Sequence, residues 1–341
     1  MGETDTIRRD VLASMEGAAR LNLAFIGVTN GLFEALAILR QATAEALARQ
    51  AGRDLGYVQR WCDAAFAFGL LREVAHDVFA LTPVGDAFRP SASGTLMPFA
   101  VGAVLGAHFA ERASGLMPSG ERPGEAVLAE RETLLPWFGP MLEAQFGRLF
   151  EAQILPAVPA FAEVDARGGV AVDLGCGNGW YLRRLAARYP RLRGIGLDSF
   201  APNIADARAR IDAEGLGGRV EVRQGDLHEF TVDEPVDLIA MNRALHHVWD
   251  DKDNVLRILR EHLAPGGWAV FWEPAWPRER AALAHPSMRP LAFQNLAEHV
   301  QGNRFLRPDE IADVLAQAGL EPKVQLFADG REAVVSGRRP A

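Results

Sequence analysis

Residues 170–182 read Val-Ala-Val-Asp-Leu-Gly-Cys-Gly-Asn-Gly-Trp-Tyr-Leu (VAVDLGCGNGWYL). A short apolar run ending in an acid passes into glycines at 175, 177 and 179, and helix-forming residues follow. Glycine at a strand-to-helix turn permits the tight bend and lets backbone N–H groups approach a ligand. The stretch therefore predicts a strand, a binding loop and a helix in that order.

The rhythm around it extends the reading. From Gly168 onward apolar runs (GVAVDLG, RLRGIGLD, RVEVRQGD, VDLIAMN, WAVFWEP, EPKVQLF, EAVVSG) alternate with helical segments such as Trp180–Tyr189, Ala201–Glu214, Asp253–Leu263 and Pro308–Ala318. Alternating strands and helices with near-continuous apolar strands argue an α/β fold: a Rossmann-like, doubly wound, mainly parallel sheet. Ligands of such sheets bind outside the carboxyl ends of the strands.

Three acids then select the ligand. A dinucleotide loop wants Gly-x-Gly-x-x-Gly, and counting from Gly175 the third glycine would fall on Trp180. Asp173, at the end of its strand, would repel a pyrophosphate but suits a cationic amino group. Asp198 closes the next strand, 19 residues beyond Gly179 (198 − 179), where an acid accepts the hydroxyls of a ribose. Asp226, in RQGDL, follows the third strand and can accept from an adenine amino group. An adenosine carrying an amino acid and no phosphate, S-adenosylmethionine (SAM), matches all three.

At these residues the chain resembles the class I SAM-dependent methyltransferases. The resemblance covers roughly 168–337 through VDLGCGNG, GIGLDSF, QGDL, VDLIAMNRALHHV and LREHLAPGGWAVFWEP. It implies cofactor contacts from Asp173, Gly175, Gly177, Asp198, Ser199, Asp226, Leu227 and Asn242. It also implies methyl transfer to a small-molecule acceptor, most readily oxygen of a specialised metabolite. N- or C-methylation, or a SAM-bound enzyme of other chemistry, stands as the alternative.

Methyl transfer needs alignment of donor and acceptor and, for a hydroxyl, removal of a proton. His246 and His247, in NRALHHVWD, resemble the Leu-His-Asp-Trp segment of O-methyltransferases. Matching Leu-His selects His246 and matching Trp selects His247; the family's Asp after the histidine is absent. Glu273, in FWEPAW, could orient an imidazole or bind a polar acceptor. Arg243 stands beside Asn242 at the same strand end. His108, inside an apolar segment, reads as a core histidine, and Trp137, Phe138, Phe146 and Phe150 as one aromatic group. Asp250, Asp251 and Asp253 read as charges opening a helix, so no metal site is expected.

The first ninety residues predict a mainly helical, winged-helix-like domain: helices at Ala42–Ala51 and Leu55–Leu71, then a hairpin over Arg72–Pro83. This segment resembles the region that precedes the core in many small-molecule methyltransferases, where it serves dimerisation and substrate enclosure. The resemblance implies a homodimer, with residues 1–90 as that domain, 91–167 as a helical connector roofing the pocket, and 168–341 as the catalytic domain.

Composition excludes other classes. The 341 residues carry a formal net charge of −8, which gives no electrostatic footprint for nucleic acid or anionic lipid. Through Pro90 nine arginines face eleven acids, so a SAM-sensing DNA-binding regulator is the weaker reading. Two cysteines cannot make a disulfide framework, and MGETDTIRRD is acidic where a leader is basic. The apolar stretch Met97–Ala110 is too short to span a bilayer. A cytoplasmic protein without membrane or nucleic-acid partners is expected.

Overall fold

The computed structural model describes residues 2–124 and 126–341, the side chain of Ala129 excepted. The chain forms two compact units: 1–111 with 128–144, and 112–127 with 145–341. The segment 91–167, read from sequence as a connector, thus divides between them.

The first unit opens with α1 (Glu3–Thr29), α2 (Leu32–Leu39), the two-residue strand β1 (Ala42–Thr43), α3 (Ala44–Ala51) and α4 (Leu55–Ala67). The hairpin β2 (Leu71–Ala75) and β3 (Val78–Leu81) follows, then α5 (Pro83–Ala87). β1 pairs with β3, giving a three-stranded sheet in the order β1-β3-β2. Local signals set these boundaries. Thr43 caps α3 by accepting from the Ala46 N–H at 3.2 Å, and Asp54 caps α4 from the Tyr57 N–H at 3.0 Å.

α1 is long and apolar enough to cross a membrane by length and composition. Its last turns, however, are core. Ala24, Gly27 and Val28 are buried, and Trp61 Nε1 donates to the Leu23 carbonyl at 3.0 Å. A Cβ on Gly27 would meet the Phe33 ring at 2.4 Å, which is why the smallest residue stands there.

Helices α6 (Met97–Leu116), α7 (Ala126–Ala129) and α8 (Leu135–Leu149) come next. The helical stretch from Leu135 to Ala157 is three pieces: α8, a π-helical turn at Phe150–Ile154, and α9 (Leu155–Ala157). The expected aromatic group is also two. Trp137 and Phe138 pack on the core of the first unit, whereas Phe150 stacks among Trp180, Tyr181 and Trp272 of the second. His108 is a satisfied core histidine, accepting from Arg131 Nε at 3.0 Å.

The second unit contains α10 (Ala160–Arg167) and the alternation β4 (Val170–Leu174), α11 (Trp180–Arg188), β5 (Arg193–Asp198), α12 (Ala201–Ala213), β6 (Val220–Gln224) and β7 (Val236–Asn242). It continues with α13 (Lys252–His262), β8 (Leu263–Pro274), α14 (Arg289–Val300), α15 (Pro308–Gln317), β9 (Glu321–Phe327) and β10 (Glu332–Arg338). The sheet order is β6-β5-β4-β7-β8-β10-β9. The first five are parallel neighbours, and β10 runs antiparallel to both β8 and β9. Order reverses beside β4: β5 lies on one side and β7 on the other, so the chain end of β4 opens on a crevice. Val172, Leu174, Ile239, Met241, Ala269 and Phe271 fill the core on this sheet.

Candidate cofactor and active site

The loop after β4 is bent by glycines with φ of 78° at Gly175 and 54° at Gly177. A Cβ on Gly175 would stand 2.7 Å from the Ala244 Cβ, while a Cβ on Gly177 would meet no atom within 4 Å. The Gly175 and Cys176 N–H groups donate to the Leu197 carbonyl at 2.8 and 2.9 Å, tying the loop to β5.

Around this loop stand polar atoms that the protein leaves unsatisfied. Asp173 is 1% exposed, and neither of its carboxylate oxygens has a hydrogen-bond partner. Burial, and next the negative charge of Asp198, push its carboxyl well above the ordinary range. Asn242 Oδ1, at the end of β7, and Asn178 Nδ2, inside the loop, are also buried without partners. Leaving such groups unpaired costs roughly 1–3 kcal/mol each, a cost expected where a ligand completes the set. Asn178 escaped the sequence reading because the position lies between two conspicuous glycines.

Asp198 holds the loop as well as facing the crevice. Its Oδ2 accepts from the Gly177 N–H at 2.9 Å, and its Oδ1 from the Phe200 N–H at 2.9 Å and Asn203 Nδ2 at 3.2 Å. Ser199 is exposed beside it, with its carbonyl accepting from Gln224 Nε2 at 3.3 Å. Asp226 and Leu227 begin the short 3₁₀ turn after β6. Asp226 is exposed, and its Oδ1 accepts the His228 N–H at 2.8 Å with His228 Nδ1 at 2.6 Å. Those two hydrogen bonds hold the Asp226 carboxyl below its ordinary range. The other edge of His228 reaches Asp251 Oδ2 at 2.5 Å. Asp251 therefore ties two loops together; it stands at the start of α13, as the sequence predicts, but its side chain makes no capping hydrogen bond.

A second constellation lies at the ends of β7 and β8. Glu273, 0% exposed, accepts the Leu245 N–H at 2.7 Å on Oε1 and faces His246 Nδ1 at 2.6 Å with Oε2. His246 is 4% exposed, and its Nε2 faces Glu298 Oε2, on α14, at 3.7 Å. Burial alone would lower the proton affinity of this imidazole; Glu273 and then Glu298 outweigh it and hold it at about 9. His247, half-buried, stacks its ring 4.1 Å from that of His246 and meets Asn303 Nδ2 at 2.8 Å through Nδ1. Glu298 and Asn303 have no motif around them and could not be found from sequence.

Arg243 takes φ of 56°, a conformation that costs a non-glycine residue about 1–3 kcal/mol. Its Nη1 meets Glu332 Oε2 at 2.7 Å and its guanidinium lies 4.2 Å from the centre of the Phe146 ring. Trp272 Nε1 donates to the same Glu332 oxygen at 2.8 Å. Its partner is thus a buried acid and not a surface one.

Residues 171–267 match the family model described as a methyltransferase domain. An uncharacterised methyltransferase of Geobacillus kaustophilus is 32% identical over 158 residues, 46% of this chain and 70% of the relative. The chain belongs to the SAM-dependent methyltransferases. A longer match runs to the O-methyltransferase SfmM3 of Streptomyces lavendulae, 27% identical over 268 residues and 74% of each chain. Among solved structures, an O-methyltransferase family protein from Burkholderia thailandensis shares the fold with a TM-score of 0.72 at 18% identity, covering 100% of this methyltransferase and 99% of that chain.

The cofactor is SAM, and the residues present fit it. An unpaired buried carboxylate at Asp173 suits the cationic amino group, the orphaned Asn242 and Asn178 atoms suit the polar amino acid end, and the space at Gly177 admits a ligand against the backbone. Asp198, Ser199, Asp226 and Leu227 would hold the nucleoside end of the same methyltransferase ligand.

Proposed function

We propose that this methyltransferase acts on an oxygen of a small specialised metabolite, with His246 taking the proton of the acceptor hydroxyl. The observation that carries the reading is the Glu273–His246 hydrogen bond of 2.6 Å. It fixes the ring and its tautomer and leaves Nε2 to act as base. When bound, the cofactor supplies an activated methyl group. His246 Nε2 would take the proton that the acceptor hydroxyl loses on methylation. The imidazolium so formed lies between Glu273 and Glu298, whose charges favour it. The name of the relative from Streptomyces lavendulae, an O-methyltransferase, supports oxygen as the acceptor atom. His247 is a second candidate base, favoured by its greater exposure.

The test is label transfer from methyl-labelled SAM to hydroxylated small molecules, with His246→Ala and His247→Ala compared. Loss in His246→Ala alone supports the assignment. Full activity in both variants removes base catalysis from the mechanism.

The reading extends to assembly. The first sixteen residues of α1 are exposed, and Ile7, Val11 and Met15 form a stripe at helical spacing, Ile7 58% and Met15 63% exposed. A groove of about 490 Å³ beside α1, lined by Leu23, Ile26, Tyr57, Val58 and Trp61, is also apolar. Both features suit a second copy of the winged-helix-like unit, that is, a homodimer. Cys62 and Cys176 are free, buried thiols, which accords with a cytoplasmic protein.

A further inference from the structure

Beside Glu273 three metal-ligating side chains converge, although the sequence carries no metal motif. One nitrogen from each of His246 and His247 and a carboxylate oxygen of Glu298 lie within 4.8 Å of one another. His246 Nε2 and Glu298 Oε2 are 3.7 Å apart. Two donors each about 2.1 Å from a tetrahedral ion stand about 3.4 Å from each other, so a shift of a few tenths of an ångström closes this pair on an ion.

The surrounding partners are those of a built site. Glu273 Oε2 holds His246 Nδ1 at 2.6 Å, Asn303 holds His247 Nδ1 at 2.8 Å, and Gln301 Nε2 donates to Glu298 Oε2 at 3.1 Å. A carboxylate on the far nitrogen of an imidazole is the usual means of orienting a metal-binding histidine. Charge points the same way. Glu273 and Glu298 are both buried and flank the His246 ring, an arrangement of carboxylates that a cation complements.

We propose that His246, His247 and Glu298 form a binding site for one divalent cation of the zinc or cobalt class, which inhibits the enzyme. Two nitrogens and one carboxylate oxygen suit such an ion, whereas magnesium and calcium favour oxygen-only shells. Three protein ligands leave a fourth position for water. An ion on His246 Nε2 occupies the lone pair that the acceptor proton would take. That inhibitory consequence rests on the base reading above; the site itself does not.

The full chain, freed of metal with a chelator and then exchanged, is dialysed to equilibrium against Zn²⁺ and, separately, Mg²⁺. The expected result is one Zn²⁺ per chain, no retained Mg²⁺, and affinity at least about tenfold weaker in Glu298→Gln and in His247→Ala. Co²⁺ should give the visible absorption of a four-coordinate ion, and SAM binding by both variants shows that they fold. A chain that retains no zinc, or variants that bind it as tightly as the parent, overturns the site. Zinc that binds while methyl transfer continues unchanged overturns the inhibition and the His246 base with it. Activity lost in His246→Ala without any zinc binding removes the metal site and leaves the base.

Discussion

Glu273 binds two neighbours at once: its Oε1 accepts the Leu245 N–H at 2.7 Å and its Oε2 faces His246 Nδ1 at 2.6 Å. One buried carboxylate thereby sets both the backbone of the turn after β7 and the orientation of the ring it carries. Replacing Glu273 with Gln preserves shape and one acceptor but removes the charge. Steady-state kinetics should show kcat lowered about a hundredfold or more, while the dissociation constant for SAM changes little. A rise in KM alone would place Glu273 in acceptor binding instead.

The rate should also depend on pH through His246. A base must be neutral, and the folded ring is held at about 9. In chelator-treated enzyme kcat should therefore climb from neutral pH and level off above about 9, with the limb displaced downward in Glu273→Gln. A flat profile with both variants impaired would assign these residues a purely positioning role.

Asp173 should link cofactor binding to protons. Its carboxyl is held well above the ordinary range by burial and by Asp198, and a bound ammonium group favours the ionised form. Binding then releases a proton, so SAM affinity should rise with pH up to that raised value and become independent of pH beyond it. Calorimetry in buffers of different ionisation enthalpy reads the release directly. Asp173→Asn should weaken SAM by roughly tenfold to a hundredfold, the worth of a charged hydrogen bond of about 1.5–3 kcal/mol. It should leave the thermal stability of the ligand-free protein little changed, because an uncharged amide replaces a carboxyl whose charged form burial already disfavours.

The two loop glycines should fail differently. Alanine at Gly175 meets both a positive φ of 78° and the Ala244 methyl at 2.7 Å, and unfolding should show a loss of about 2–4 kcal/mol. At Gly177 the positive φ remains, but an added methyl would meet no atom within 4 Å. Gly177→Ala should cost only about 1–2 kcal/mol and act mainly on SAM affinity. Equal losses of stability would mean that the space at Gly177 is not the ligand's.

For the homodimer, Val11→Glu with Met15→Glu places two charges on the apolar stripe of α1. Sedimentation should shift from dimer to monomer, with the circular dichroism of the chain retained. A parent protein that sediments as a monomer at micromolar concentration would reject the assembly.

All seven strands of the large sheet and the helices α11, α12, α13 and α15 were legible, because apolar runs and amphipathic segments repeat with the periods that strands and helices impose; α14 was not. So were the glycine loop and the acids at positions 173, 198 and 226, since each lies within two residues of a strand end and the strand ends define the crevice. Thr43, directly before a helical run, was legible as its cap for the same local reason. The π turn after Leu149 was not, because its residues keep helical composition while the hydrogen bonding changes.

What the sequence by itself determined is therefore the succession of elements and the cofactor class, both written in spacings of a few residues. Only the tertiary structure distinguishes His246 from His247 by their partners, setting Glu273 against one ring and Asn303 against the other. It alone brought Glu298, 52 positions beyond His246 (298 − 246), to that ring, and gave Asp251, at the start of α13, His228 as a partner. These contacts join elements far apart in the chain. Their distances follow from sheet order and helix placement, which fix where side chains converge without leaving any local pattern in the residues concerned.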